Sequence, residues 1–309
     1  PEHVTARTPG ATELRAFVFV CAGVVALGAC ATAGPQPASG AGEYLSGRVA
    51  AGVNDIGAAA DKFAVASAAN PEDIDALRKA FLYGLASGAV ERTLPFAERL
   101  AAADKTDGMA RITLAAAKMK RGDYAAAKRL LAGDFNESFS KSIGFIAGVW
   151  ITAEEQGPQK GLEALAAAPD DVFKGFNPGI AAILAEQTGD LDAARAAHQL
   201  SVGSFEGPSG REAYGAFLER SGDADAARSF YELLERDRGA ARRTARAGLQ
   251  RLDRKTPSKA YASVSAVEGT AIALYNFSGN TLEQSAGERA RAAEAGFKVG
   301  EPQFTLPLV

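Results

Sequence analysis

Turn-forming pairs punctuate this sequence at an almost constant interval of about 34 residues. Asn54-Asp55, Gly88-Ala89, Gly122-Asp123, Gly189-Asp190 and Gly222-Asp223 each separate two alanine-rich runs. Gly88 lies 34 residues after Asn54, Gly122 lies 34 after Gly88, and Gly222 lies 33 after Gly189. The wider gap between Gly122 and Gly189 holds two periods, and Gln156-Gly157-Pro158 marks the missing turn. A chain with this rhythm is built of small units, and units of this size bury their apolar sides only by stacking.

The runs between turns repeat in phase. Five residues after each turn residue stand Ala59, Thr93, Ala127, Gly161, Ala194 and Ala227. Nine after stand Phe63, Ala97, Leu131, Leu165, His198 and Tyr231. A small residue followed four later by a larger one places both on one helix face. Composition agrees: 47% of residues are hydrophobic and only 8% aromatic. The excess is mostly alanine, the best helix former. β-Branched alternating segments of the kind that build a large sheet are few. These features together predict an all-α protein of paired helices.

The period and the small–large phase resemble the tetratricopeptide repeat. The first unit carries the most of that pattern, with Gly47, Ala59, Phe63, Ala66 and Pro71 at its glycine, alanine, aromatic, alanine and proline places, and Gly215 repeats the role of Gly47 in the sixth. The tryptophan and tyrosine usual in the first helix are missing from most units. The resemblance covers Glu43 to Asp253 and implies a right-handed α-solenoid of six to seven helix–turn–helix repeats. Units are placed near 40–73, 74–107, 108–141, 142–174, 175–207 and 208–253, within an array spanning 43–253. Residues 254–309 read as an irregular seventh repeat with an insertion. In it, Ala262 to Phe277 is one more first helix and Phe304 to Val309 the start of another.

The N-terminal part differs. Arg7 and Arg15 precede a 14-residue apolar run, Ala16 to Ala29, shorter than the roughly 20 residues a membrane span needs. Its layout is that of a secretory signal. Leu27-Gly28-Ala29-Cys30 resembles the lipobox of bacterial lipoproteins. That resemblance implies cleavage of residues 1–29, lipidation of Cys30, and outer-membrane rather than inner-membrane retention, because Ala31 is not aspartate. Residues 30–42 read as a flexible tether rich in Gly, Pro and Ser. A plain signal cut after Ala31-Thr-Ala33, giving a soluble periplasmic or secreted protein, and an uncut anchor remain the alternatives. The chain opens on Pro1 and closes on an apolar stretch, as a fragment of a longer protein would.

Chemistry is sparse. The chain has two cysteines, Cys21 and Cys30, and two histidines, His3 and His198. No zinc set or disulfide framework can be assembled after Cys30. His198 occupies the repeat place of Phe63 and Tyr231 and reads as packed between helices. Gly203 to Gly210 lacks the lysine of a phosphate loop and reads as the connection between the fifth and sixth units. The arginines from Arg238 to Arg254 come after Glu232, Glu235 and Asp237 and read as a solvated helix face. With a net charge of −3, the chain has no basic field for nucleic acid. No catalytic residue, metal site or cofactor is expected.

The tetratricopeptide resemblance implies a concave groove lined by the first helices. Carried over by position, its lining begins with Tyr44, Arg48, Arg78 and Leu82, continues with Ile112, Met119, Ile146 and Trp150, and ends with Ile183, Glu186, Glu212 and Glu219. Basic residues come early, apolar ones in the middle and acidic ones late. Trp150, the single tryptophan, is central, and tryptophan is enriched at binding hot spots. The implied function is a non-enzymatic interaction scaffold or adaptor of the bacterial cell envelope, holding a protein or peptide partner in the groove. The alternative is a substrate-presenting repeat region of a larger enzyme with its catalytic domain beyond Val309.

Overall fold

The computed structural model describes residues 40–203 and 207–277. Residues 1–39, which carry the signal reading and Cys30, lie outside this range, as do residues 278–309. The described residues hold fourteen helices and no strand. Five helix pairs succeed one another: α1 (Gly40–Gly52) with α2 (Ile56–Ala69), α3 (Ile74–Ala86) with α4 (Val90–Ala103), α5 (Gly108–Lys120) with α6 (Tyr124–Leu131), α7 (Ser138–Gln156) with α8 (Pro158–Ala166), and α9 (Asn177–Thr188) with α10 (Leu191–Val202). The sixth pair is α11 (Gly207–Arg220) with α12 (Ala224–Leu234), and α13 (Ala240–Arg254) comes after it. A last helix, α14, covers residues 266–277.

Consecutive helices pack on each other all along the chain, and the first helices α5 and α7, α9 and α11, and α11 and α13 also touch. This neighbour-to-neighbour packing is that of an α-solenoid. Two boundaries differ from the sequence reading. Helix α1 starts at Gly40, inside the stretch given to the tether, and α11 starts at Gly207, inside the stretch read as an inter-unit loop.

The turn punctuation has a backbone cause. Asn54, Gly88, Gly122, Gly189 and Gly222 all adopt positive φ, between 58° and 84°. The residue after the turn then caps the second helix. Asp55, Asp123, Asp190 and Asp223 each accept a hydrogen bond from the backbone N–H three residues on, at Ala58, Ala126, Ala193 and Ala226. Asp73 and Asp107 cap first helices the same way. Each cap contributes about 1 kcal/mol. Gly-Asp is thus one left-handed residue and one cap, and a two-residue device suffices to reverse the chain.

In five of the six units, a first-helix residue and a second-helix residue 16 positions later compensate each other in size: Gly47 and Phe63, Phe81 and Ala97, Ala115 and Leu131, Ala182 and His198, and Gly215 and Tyr231. The fourth unit has Val149 and Leu165 at these places. All of these residues but the partly buried Leu131 are buried. A side chain on Gly47 would meet the Phe63 ring at 2.9 Å, and one on Gly215 would meet the Tyr231 ring at 2.6 Å. Unit two reverses the order, with the aromatic on the first helix. His198 is fully buried and stacks near Phe217, with ring centroids 4.9 Å apart. It is therefore a packed member of this series.

Helix α14 does not stack on the end of the array as a seventh unit. The chain turns back after α13 and lays α14 across the first-helix face of units three to six. Its start meets the end of α7, where Ala266 N–H donates to Glu154 Oε2 at 3.0 Å. Its end meets the start of α7, where the Phe277 ring packs 5.1 Å from Phe139 and 4.5 Å from Phe176. Helix α14 therefore runs antiparallel to α7. A first helix that stacks and a helix that lies in a groove need the same one-sided apolar pattern, so the pattern alone does not separate them.

Gly215→Ala is expected to destabilise the chain by about 1–3 kcal/mol, the usual cost of overpacking a filled site. Gly148→Ala, in the interior of α7 with open space around it, is expected to stabilise by up to about 1 kcal/mol. Urea unfolding of both variants checks the pair of signs.

Candidate functional site

The residues assigned to the groove fall into two groups in the structure. The polar ones tie neighbouring units together. Tyr44 Oη donates to Asp75 of the next first helix, and Arg78 Nη1 bonds Asp107 Oδ2 at 2.7 Å. Glu186 accepts both arms of Arg220, at 2.6 and 2.8 Å. Glu219 accepts Arg251 at 2.7 and 3.0 Å, Tyr231 Oη at 2.6 Å and Ser258 N–H at 2.8 Å. Arg48 and Glu212 are exposed, the latter with Tyr261 Oη at 3.4 Å. The basic-to-acidic gradient read from the sequence is thus largely engaged within the chain.

The apolar ones form the floor of a covered groove. Ile146 and Trp150 are fully buried, and Met119 and Ile183 nearly so, in one cluster with Ala266 and Ala273 of α14. Gly269 lies directly on the Trp150 indole, and a Cβ there would collide with the ring. The space left beneath α14 at this point is about 20 Å³, room for about one water molecule and no larger ligand. Trp150 Nε1 is buried without a hydrogen-bond partner among the described residues. Leu82 stays on the N-terminal side, partly buried against the unit-two core.

Three devices hold α14 in place. Ser265 and Glu268 form a reciprocal capping box, with Ser265 N–H donating to Glu268 Oε2 at 2.9 Å and Glu268 N–H to Ser265 Oγ at 3.3 Å. Ser209 Oγ donates to Asn276 near the other end. The connection from α13 is clasped by two adjacent residues at the end of α11. Glu219 takes Ser258 N–H, while Arg220 Nη1 donates to the carbonyls of Ser258 and Ala260 at 3.0 and 2.6 Å. Burial pushes the Glu219 carboxyl up, but Arg251, the Tyr231 hydroxyl and the Ser258 N–H outweigh it and hold it below the usual range. Glu186 behaves alike: burial raises it, and His198 and Arg220 more than offset that.

Helix α14 covers only part of the groove. Beside it, toward units two and three, runs an open apolar cleft of about 560 Å³. Its floor is α5, through Met109, Ile112, Thr113, Ala116, Ala117 and Lys120. Its walls are the turn from Gly88 to Arg92, Phe139, and α14 itself through Val267, Ala271 and Leu274. Of these, the sequence reading named only Ile112. Ala116 and Lys120 succeed Ile112 at steps of four on the same helix face, a signal that was available, whereas the α14 wall was not. No cluster of side chains able to hold a metal ion occurs among the described residues, and no described helix is long and apolar enough to cross a membrane.

No protein-family model matches the chain, and no curated protein matches it. Among solved structures, the chain is similar to one titled as Naa15/Naa10 bound to HypK-THB, at 14% identity and a TM-score of 0.43. The likeness covers 79% of this chain and 45% of that one, so the chain spans less than half of its length.

Because the folded Glu219 and Glu186 carboxyls lie below their unfolded values, their contribution is complete above the ordinary carboxylate pKa. It is lost as pH falls through the folded values. Acidification is therefore expected to loosen the 255–261 connection and α14, read as a red shift of Trp150 emission. Glu219→Gln is expected to cost about 3 kcal/mol at neutral pH and to flatten that acid response. An unchanged acid profile in the variant would count against the clasp.

Proposed function

We propose that this protein is a non-enzymatic interaction scaffold whose first-helix face accepts an amphipathic helix from a protein partner. The observation that carries the reading is α14 itself. A helix with a small-residue face, centred on Gly269, already lies on the floor formed by Ile146, Trp150 and Ile183. Helix-in-groove recognition uses this geometry, with anchors spaced at three and four residues. The open cleft over Ile112, Thr113 and Ala116 continues that floor and is mostly apolar. It lies within the usual size range of ligand sites.

The second element of the proposal is where the scaffold works. The Leu27-Gly28-Ala29-Cys30 motif supports an exported lipoprotein tethered to the periplasmic side of the outer membrane, and no more than ten residues separate Cys30 from the start of α1 at Gly40. Such a short link would hold the first unit close to the membrane surface and leave the later units facing the periplasm.

A photo-reactive side chain at Thr113 is expected to trap a protein partner in native envelopes, while the same group at Val65, exposed on α2, traps little. Ala116→Glu is expected to reduce that capture at least about tenfold, the effect of burying an unpaired charge, with unchanged helicity. Equal trapping from both positions would remove the groove assignment. Trp150→Ala is a poor probe of the partner, because emptying this site beneath α14 costs about 3–5 kcal/mol by itself. For the tether, Cys30→Ser is expected to release the protein from membranes; unaltered fractionation would reject lipidation.

A further inference from the structure

Helix α1 presents an apolar stripe to its surroundings. Leu45, Val49 and Val53, at steps of four, are 59%, 68% and 72% exposed, and Ala41, also exposed, extends the line by one more step. No other described helix exposes three large apolar residues in line. Comparison between units identifies this face. Val49 stands two residues after Gly47, and the corresponding residues of later units are Tyr83, Ala117, Ile151, Leu184 and Phe217. All of these but Ala117 are buried. Tyr83 stacks on Phe63 of the preceding second helix with ring centroids 5.1 Å apart, and Phe217 lies 4.9 Å from His198 of its preceding second helix. The stripe on α1 is therefore a stacking face, of the kind by which one unit covers the next.

The other end of the array offers this face no match. Helix α13 exposes Arg243, Arg246, Gln250 and Arg254, a polar cover of the kind that closes a solenoid. Setting the stripe of one copy on α13 of another would strip water from guanidinium groups and give them no partner. The stripe matches itself better. Positions 41, 45, 49 and 53 are symmetric about position 47. Two antiparallel copies of α1 therefore set Leu45 of each against Val49 of the other, and Ala41 of each against Val53 of the other, which is the self-complementarity a two-fold contact requires. Gly42 and Ser46, exposed beside the stripe, are small enough to let the helices approach. Arg48, the one exposed charge on α1, borders the stripe and can keep its guanidinium in water at the rim.

We propose that two copies of this chain meet head to head through α1, with Leu45, Val49 and Val53 as the seam of a two-fold dimer. The contact continues the unit-on-unit packing of the array across a symmetry axis instead of along the chain. A seam one helix long stands at the small end of specific interfaces, so the dimer dissociates on dilution. The inference goes beyond the scaffold reading and does not depend on it, because no residue of the seam lines the cleft over Ile112 and Ala116. The dimer carries two such clefts, so a partner with two docking helices gains avidity.

The test uses the full chain with Cys21→Ser and Cys30→Ser, which removes the native thiols. Ser46→Cys is added beside the seam, and Val65→Cys, exposed on α2 of the same unit, serves as the control. Each is treated with a short bis-maleimide. The expected result is a dimer linked through residue 46 whose yield rises with protein concentration and exceeds the residue-65 link about tenfold. Leu45→Asp with Val49→Asp, at positions the fold leaves exposed, is expected to lower the residue-46 yield about tenfold with unchanged helicity. No link through residue 46, equal links from 46 and 65, or a yield that the two aspartates leave unchanged would each overturn the proposal. So would a stronger link between Ser46→Cys chains and Arg243→Cys chains, which marks head-to-tail joining. A residue-46 thiol that stays unlinked but reacts slowly at every concentration means that the chain covers the stripe itself; one slowed only by phosphatidylglycerol vesicles means that a lipid surface does. Either result overturns the dimer. Capture of a partner through Thr113 is scored separately, so the dimer and the scaffold reading can fail independently.

Discussion

The structure depends on one steric constraint: in most units the two helices approach closely because a small residue faces a large one. Gly47 against Phe63 and Gly215 against Tyr231 are its extreme cases, with no room for a side chain on the glycine. The rest of the architecture grows from that closeness. Tight pairs leave apolar edges that the next pair must cover, and the covering extends the array one unit at a time. The aspartate caps and left-handed turn residues keep each reversal short enough for the pairs to stay in phase.

A second layer of order comes from polar bridges at nearly the repeat spacing. Arg78 reaches Asp107, Glu186 reaches Arg220, and Glu219 reaches Arg251, each joining one first helix to the next. Glu219 and Arg220 are neighbours in sequence, yet they reach in opposite directions along the stack. At that point they also grip the backbone of the reversing segment at Ser258 and Ala260. The place where the array ends is thereby the place that aims the chain back into the groove.

Much of this was legible in the sequence, because it is local. The turns at Asn54, Gly88, Gly122, Gly189 and Gly222, the small–large phase and the packed nature of His198 depend on residues within one period. Sequence periodicity puts Ile146, Trp150 and Ile183 on first helices but does not place the α14 that buries them. Contacts such as Glu154 with Ala266 join residues 112 positions apart, and no periodicity encodes them. The engaged state of Glu186 and Glu219 was readable in principle, since each has an arginine about one period downstream. That signal becomes visible only when charges, and not merely sizes, are compared between units.

The reversed order of unit two has a consequence for how such a chain can be rearranged. Joining the first helix of unit one to the second helix of unit two would set Gly47 against Ala97 and leave a hole. The opposite splice would force Phe81 onto Phe63. Recombination inside a unit, at the glycine turn where the backbone looks most permissive, therefore breaks the match between halves. Exchange between whole units preserves it, so the inheritable module of this protein is the hairpin and not the helix.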